Sequence, residues 1–322
     1  MLKHFHYRNT LDDIIRHRKG EIKLGERFKF LEGYNLATVK RKHKKIKFAL
    51  FGIPESIGIM ANQGRSGAEY AWQEFLFQFV NLQSNRFLEG SEILCLGQVE
   101  TKDLQQRAAE LNTKDGQYFT KLRSYCQELD QRVAPVVESV VKAGLVPVVI
   151  GGGPNNALPL LKGVYRGLNL SQGMGCVNLD THAGFRPLEG RHSGNGFSYA
   201  FYQGYLKKYF ALGLMEQTNS EAMLKNMDIE EGVEYQFYQP GLDLEFDHVV
   251  KRWALPVGLE IGTSSGYRLD QICNLIRKIN KQIRPAYLHL TMGQIQDPDN
   301  DAPIVGSVLS TLVLEFIKTY TD

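Results

Sequence analysis

Short apolar runs alternate with longer amphipathic segments from about residue 46 to the end of the chain. The apolar runs are ended by glycine, proline or polar residues. Within most of them apolar and polar residues do not alternate strictly, which is typical of strands buried on both faces of a parallel sheet. The pattern predicts strands at 45–54, 91–99, 145–153, 173–182, 209–214, 233–238, 255–262 and 285–293.

The segments between these runs have the periodicity of helices. We expect helices at 69–82, within 116–144, and at 155–168, 268–280 and 304–320. This alternation predicts a three-layer α/β/α domain with a central, mostly parallel sheet of about eight strands. Residues 1–45 are polar and charged and are interpreted as an N-terminal extension, with one helix around 10–20 that stops at Gly20, and residues 46–322 as a single domain.

Composition restricts the class of protein. The 322 residues are 43% hydrophobic, which is enough for a large core, and 38 basic against 35 acidic residues leave a net charge of only +3. We therefore expect neither nucleic acid nor a membrane as a partner, and the basic run at 39–50 is interpreted as a solvated segment. The four widely spaced cysteines predict reduced thiols. Without a secretory pattern or an apolar span of roughly 18 residues, we expect a cytoplasmic protein.

Candidate chemistry lies in the loops that follow the predicted strands, where ligands bind in such sheets. The stretch "NLDTHAGFR" places Asp180 and His182 two residues apart, so a strand would point both side chains to one face. Both residues are good ligands for a divalent cation. The next position on that face is Gly184, which offers no ligand.

Four of these loops, taken in order, resemble the ureohydrolase family of arginase, agmatinase and formimidoylglutamase, and most of all the formimidoylglutamase branch. "NQGRSGA" resembles the family's Asn-x-Gly-Arg-x-Gly-Ala loop, and "GGGPNNA" its glycine-rich turn. "NLDTHAGFRPLEGRHSGNGF" resembles an Asp-Ala-His-x-Asp motif that is followed by Leu-Arg-Pro and a His-Ser-Gly-Thr-Pro-Phe-like loop. "GLEIG" resembles the start of the stretch Gly-Leu-Glu-Ile-Asp-Leu-Asp, in which a later strand of this branch ends. The resemblance implies the arginase-like fold and a binuclear manganese site that activates water against a guanidinium or formimidoyl carbon.

Most of the metal ligands of that family are missing from this sequence. Pro154 stands where the glycine-rich turn has a histidine, and Gly184 where the motif has its second aspartate. The later Asp-x-Asp pair is absent from "GLEIGTSSG", and the last expected carboxylate falls near Met292. Asp180 and His182 alone remain of six ligands, and one carboxylate cannot neutralise two dications.

Other interpretations of these residues remain open. Asp243, Glu245 and Asp247 would share one face of a strand and could replace the lost carboxylates, or they form a solvated acidic edge. Glu260 is another candidate to replace a lost carboxylate ligand, or its carboxylate is hydrogen-bonded inside the fold. Asp180 could simply cap backbone N–H groups. The "GGGPNN" turn suits the start of a helix, because proline is favoured at the first helical position, and it leaves backbone donors free for an anion.

The sequence therefore predicts a ureohydrolase-like protein that has lost its metal centre and would bind an amidine- or amino-acid-like ligand without hydrolysing it. His192 is the candidate catalytic residue, although an exposed loop histidine is the simpler interpretation. The candidate ligand-binding residues are Asn62, Arg65, Arg186, Ser193 and Asn195. No cofactor is expected. The alternative is an active hydrolase of linear amidines such as N-formimidoyl-L-glutamate, with Mn²⁺ held weakly by Asp180 and His182, and the resemblance implies a homo-oligomer.

Overall fold

A central sheet forms the middle layer of the computed structural model, which describes residues 2–3, 11–31, 33, 35–239, 250–263, 266–291, 293–295 and 301–321. Its strands are β1 (Leu2–Lys3), β2 (Phe48–Gly52), β3 (Ile93–Val99), β4 (Val146–Ile150), β5 (Met174–Leu179), β6 (Leu206–Leu214), β7 (Val233–Phe237), β8 (Val257–Gly262) and β9 (Tyr287–Thr291). The spatial order is β1-β3-β2-β4-β9-β8-β5-β6-β7. Strands β2 to β9 pair only in parallel, and the short β1 pairs antiparallel with β3. The expected parallel sheet of about eight strands is confirmed.

Helices connect most of the parallel strands, since a parallel pair needs a long crossover connection. They are α1 (Leu36–Lys42), α2 (Ile57–Ala61), α3 (Ala71–Phe79), α4 (Lys102–Ala109), α5 (Tyr118–Lys142), α6 (Ala157–Gly167), α7 (Gly196–Tyr202), α8 (Glu221–Ile229), α9 (Leu269–Ile283) and α10 (Asp301–Thr321). All five helices predicted after residue 46 are present.

Each face of the sheet is covered by its own hydrophobic core. Phe48 and Leu50 of β2 point into the core formed with α3, α9 and α10, whereas Ala49 and Phe51 point into the core formed with α5, α6 and α7. Because alternate residues of one strand enter different cores, the strand must be apolar at every position. This explains the uninterrupted apolar runs in the sequence.

The N-terminal segment differs from its prediction. Only Leu11 and Asp12 of the helix expected at 10–20 are helical among the described residues, and the chain then turns. The backbone N–H groups of Ile14 and Ile15 both donate to the Leu11 carbonyl, while Leu11 and Ile15 are buried in the first core. The turn at 11–15 is therefore enough to bury Leu11 and Ile15, and residues 13–20 of the expected helix are not helical.

The last helix has the length and apolar composition of a membrane span over Pro303–Tyr320. Core helices of globular proteins pass the same test. In this chain Leu309, Leu312, Val313 and Phe316 of that window are buried against the sheet and α9, so packing accounts for its apolar character.

Candidate functional site

A cavity of about 350 Å³ opens at the carboxyl ends of the parallel strands. Sites for small ligands have volumes of this order. Six of the eight residues singled out in the sequence line it: Asn62, Arg65, Asp180, His182, Arg186 and Ser193. Its remaining lining residues are Ile59, Gly64, Pro154, Gly184, Gly194, Thr218, Asn219, Met223 and Gln294.

Asp180 directly follows β5 and is buried, whereas the side chain of His182 is 57% exposed. The Asp180 Oδ1 accepts hydrogen bonds from the His182 backbone N–H at 3.0 Å and from the Thr181 hydroxyl at 3.3 Å. The His182 ring lies farther away, with Nδ1 at 3.7 Å from the same oxygen. Asp180 therefore caps the backbone after the strand, as an aspartate at a strand end commonly does.

Two glycines stand where carboxylate ligands are missing: Gly184 takes the place of the motif's second aspartate, and Gly262 ends "GLEIG", from which the later Asp-x-Asp pair is absent. Gly184 has a φ of 60°, and a Cβ built on it would lie 2.7 Å from a carbon of the Phe197 ring. Gly262 is the last residue of β8, and a Cβ there would lie 2.3 Å from Asp180 Oδ2. Both distances are shorter than real Cβ contacts. A side chain at either position would therefore force its neighbour to shift.

The glycine-rich turn after β4 holds a carboxylate from within the protein. Glu55 follows β2 and is fully buried. Its Oε1 accepts hydrogen bonds from Gly153 N at 2.9 Å, Asn155 Nδ2 at 3.1 Å and Asn156 Nδ2 at 2.7 Å. Its Oε2 accepts one from Gly58 N at 3.1 Å. The turn does offer donors to an anion, as expected, but the anion is Glu55.

Pro154 follows this turn as the first residue of a short 3-10 helix that leads into α6. A proline is well suited to that position because its missing N–H would have no partner there. Its ring lines the cavity and carries no donor or acceptor. The structure agrees with the helix-start interpretation of this residue.

Two arginines face the cavity from different loops. Both Arg65 and Arg186 are exposed, and no carboxylate of the described residues lies within salt-bridge distance of either. A Cβ on Gly194 would lie 2.8 Å from Arg186 Cδ and 3.0 Å from Asn62 Nδ2. Arg186 and Asn62 therefore converge over the bare backbone of Gly194. Such guanidinium groups are suited to a ligand carboxylate because they donate two parallel hydrogen bonds.

The exposed position expected for His192 is wrong, since its ring is fully buried. Nδ1 accepts a hydrogen bond from Gly194 N at 3.1 Å, so Nε2 carries the proton and donates it to Glu189 Oε1 at 3.1 Å. Burial lowers the pKa of His192 to about 4, although Glu189 opposes the shift. The neutral ring lies behind the cavity wall and holds the 186–195 loop.

Asn195 also lies behind the wall rather than on it. Its Oδ1 accepts hydrogen bonds from the His192 N–H and from Arg191 Nη1, and its Nδ2 donates to two backbone carbonyls of the same loop. Arg191 is itself buried and forms a two-bond ion pair with Asp130 of α5 at 2.8 and 3.2 Å. Burial raises the pKa of Asp130, although Arg191 opposes the shift. These groups keep the loop that carries Arg186 and Ser193 in place.

Glu260, one of the alternative carboxylates, does not line the cavity. Glu260 is buried and satisfied inside the fold, where its oxygens bond to Tyr287 Oη at 2.7 Å and His289 Nδ1 at 2.5 Å. This matches the simpler interpretation given to it. Asp243, Glu245 and Asp247, and also Met292, lie outside the described residues.

Three polar residues of the site were not expected. Asn219 accepts from Ala183 N and donates to the Thr181 carbonyl at 2.8 Å, and Thr218 Oγ1 donates to the same carbonyl at 2.7 Å. Gln294 donates to the Arg65 carbonyl at 2.9 Å. These residues follow β6 and β9, so the rule that sites lie beyond strand carboxyl ends could have found the loop at 215–220.

The described side chains do not fit a pair of manganese ions. Two bridged dications need several carboxylates to fill their shells and cancel their charge. Among the described residues, no group of three or more His, Cys, Asp or Glu side chains is arranged to hold a metal ion. Asp180 is the only carboxylate among the described residues lining the cavity, and one of its oxygens already caps the backbone.

This chain is similar in sequence to proteins of known family. A sequence profile of the arginase family matches residues 46–253, more than half of the chain. Formimidoylglutamase from Streptococcus pyogenes serotype M3 is 24% identical over 204 residues, which are 60% of this chain and 56% of that enzyme. The match therefore spans little more than half the length of this curated relative.

Solved structures of similar enzymes share the fold. Formiminoglutamase from Trypanosoma cruzi with Mn²⁺ superimposes with a TM-score of 0.69 at 16% identity and covers 92% of this chain and 98% of that one. Formimidoylglutamase from Bacillus subtilis gives a TM-score of 0.66 at 14% identity and covers 95% and 94% of the two chains. With the profile match and the eight-stranded parallel sheet, this chain belongs to the arginase family, near its formimidoylglutamase branch.

Proposed function

We propose that this protein is a non-hydrolysing member of the arginase family whose cavity binds an amidine- or amino-acid-like ligand. The observation that carries this proposal is the pair Gly184 and Gly262, where glycine supplies no carboxylate and a side chain would displace Phe197 or Asp180. Without those carboxylates, two manganese ions would repel each other beside a single aspartate. The family's water activation has no support in such a site.

The charges around the cavity favour a ligand with both an acidic and a basic end. Arg65 and Arg186 line it and have no carboxylate partner among the described residues. Asp180 is the buried carboxylate at the strand end and attracts an amidinium or ammonium group. An amino-acid-like amidine carries both of these charges, and the amide of Asn62 adds a donor and an acceptor to the cavity lining.

Metal content tests the first half of the proposal. The intact protein is incubated with manganese, desalted and measured by elemental analysis, with the formiminoglutamase of Trypanosoma cruzi, whose structure holds Mn²⁺, as the positive control. We expect fewer than two tightly held ions per chain. Two ions per chain that survive desalting would overturn the proposal.

Calorimetric titration tests ligand binding. N-formimidoyl-L-glutamate, L-glutamate and L-arginine are titrated into the wild type and into the Arg186→Ala variant. Removing a charge-assisted bidentate interaction, worth roughly 1.5–3 kcal/mol, should weaken binding at least about tenfold. Arg166→Ala, which removes an exposed arginine on α6 outside the cavity, is the matched control and should bind as the wild type does. Equal weakening in both variants would count against the cavity as the binding site.

The competing proposal is hydrolysis of a linear amidine with one metal ion. It is favoured by Asp180 and His182, which both line the cavity and together suffice for one hydrated cation. It requires manganese-dependent release of formamide or ammonia from N-formimidoyl-L-glutamate that is lost in Asp180→Ala. Because Asp180 also caps the backbone, the exposed His182→Ala is a second variant that should lose the same activity while keeping its circular dichroism spectrum. Absence of turnover by the manganese-loaded wild type at millimolar substrate would exclude this alternative.

A further inference from the structure

A second cavity, of about 780 Å³, lies at the amino ends of β2 and β3, at the opposite edge of the sheet from the candidate site. We call it the basic cleft. Three separate segments of the chain form it, at 22–29, 42–45 and 84–91. Its lining residues are Ile22, Arg27, Lys29, Lys42, His43, Lys44, Lys45, Ser84, Asn85, Arg86, Glu89 and Ser91.

The charges of the basic cleft are strongly unbalanced. Six of its described lining residues are lysine or arginine and one, Glu89, is acidic, although the whole chain has 38 basic and 35 acidic residues. Glu89 is paired with Lys45 at 3.2 Å. Among the described residues, no carboxylate lies within salt-bridge distance of Arg27, Lys29 or Lys44. Positive charges in one concave surface focus an attractive field on an anion.

Backbone hydrogen bonds hold two of the three segments in place. Lys29 N donates to the Ile93 carbonyl and the Lys29 carbonyl accepts from Cys95 N, both at 2.9 Å, so this residue is aligned with the start of β3. Ser84 N donates to the Ile22 carbonyl at 2.8 Å, which joins two of the three segments. The basic run in the sequence is thus one wall of a folded cavity, and residues far from it in the sequence complete the other walls.

We propose that the basic cleft binds a small molecule that carries two or more phosphate groups. Arginine and lysine side chains are the usual partners of phosphate, and Ser84, Asn85 and Ser91 add neutral donors. The volume lies in the range of small-ligand sites, and the surface is concave rather than an extended stripe along which a nucleic-acid backbone would run. This proposal does not depend on the function of the cavity at the opposite edge.

The test is a calorimetric titration of the full-length protein with inorganic tripolyphosphate. The cleft variant carries Arg27→Ala, Lys29→Ala and Lys44→Ala. The control variant carries Lys114→Ala, Arg166→Ala and Lys278→Ala, which remove the same charges from exposed positions elsewhere. We expect the cleft variant to bind about tenfold more weakly or worse, since removing each solvent-screened ion pair with phosphate should weaken binding roughly twofold to threefold. The control variant should bind as the wild type does.

Three outcomes would overturn the proposal. The first is no binding to the wild type at low ionic strength, and the second is equal weakening in both variants, which indicates unspecific attraction. The third is binding of a 20-nucleotide single strand without binding of tripolyphosphate, which indicates a nucleic-acid surface. Lys44→Glu serves if the triple variant unfolds, because Lys44 is exposed and its reversal should also weaken tripolyphosphate binding.

Discussion

Glu55 is the buried carboxylate on which the turn at the candidate site depends, and its removal gives a clear test of the structure. Four hydrogen bonds end on it: from the backbone N–H groups of Gly58 and Gly153 and from the side-chain amides of Asn155 and Asn156. The side chain is fully buried. We therefore expect Glu55→Ala to destabilise the protein strongly.

The magnitude follows from the number of donors. Each buried donor left without a partner costs about 1–3 kcal/mol. Water that enters the vacated volume would satisfy some of the four, so we expect Glu55→Ala to lower the free energy of unfolding by about 4 kcal/mol. Glu55→Gln keeps an oxygen for the three donors now at Oε1 and turns its NH₂ group toward Gly58 N–H. With one donor unsatisfied, that variant should lose about 2 kcal/mol.

Urea denaturation, followed by circular dichroism and extrapolated linearly to water, measures both losses. Glu231→Ala removes an exposed glutamate and should stay within about 0.5 kcal/mol of the wild type. The reasoning would be refuted if Glu55→Ala lost less than about 1 kcal/mol, a value typical of surface changes. It would also fail if glutamine and alanine cost the same, because the loss would then not track the number of unsatisfied donors.

Three further predictions concern the same region. Gly184→Ala should lower stability in thermal denaturation by about 2–3 kcal/mol, since its Cβ meets the Phe197 ring at 2.7 Å and its φ of 60° disfavours a side chain; a neutral result would contradict the crowding. The pKa of His192 is lowered to about 4 in the folded protein, so its stabilising contribution is complete above pH 6.5 and is lost as the pH falls toward 4. His192→Asn should therefore flatten the pH dependence of stability in that window, and an unchanged slope would rule the shift out. Arg191→Met should cost about 3–5 kcal/mol in urea denaturation because it leaves Asp130 buried without its partner, whereas a loss below about 1 kcal/mol would mean that the pair is not buried as described.

The sheet was predictable from sequence because burial on both faces requires apolar residues at successive positions of a single strand. Phe48 and Phe51 enter opposite cores, so β2 is apolar throughout, and the same holds for the other central strands. Short connecting helices such as α2 and α7 were not predicted. Helices of five to seven residues carry too little periodicity to be distinguished from loops, and tertiary packing stabilises them instead.

Part of the site was predictable for a related reason. Arg65 and Arg186 follow predicted parallel strands and Asp180 lies at the end of one, and the carboxyl ends of such strands meet at one edge. The contact between Glu55 and the glycine turn was not predictable, because it joins residues 98 to 101 positions apart and leaves no local pattern. The burial of His192 was missed likewise, since a loop that folds back on its own polar groups looks like an exposed loop in the sequence.

The two glycines at the cavity differ in what an aspartate there would require. At Gly184 the backbone would have to leave its left-handed conformation and Phe197 would have to move. At Gly262 the Asp180 carboxylate would have to rotate, and this rotation would release the His182 N–H that it caps. Each change therefore disturbs an interaction that now stabilises the loop after β5. Because the two interactions involve different neighbours, restoring both carboxylates would disturb both of them.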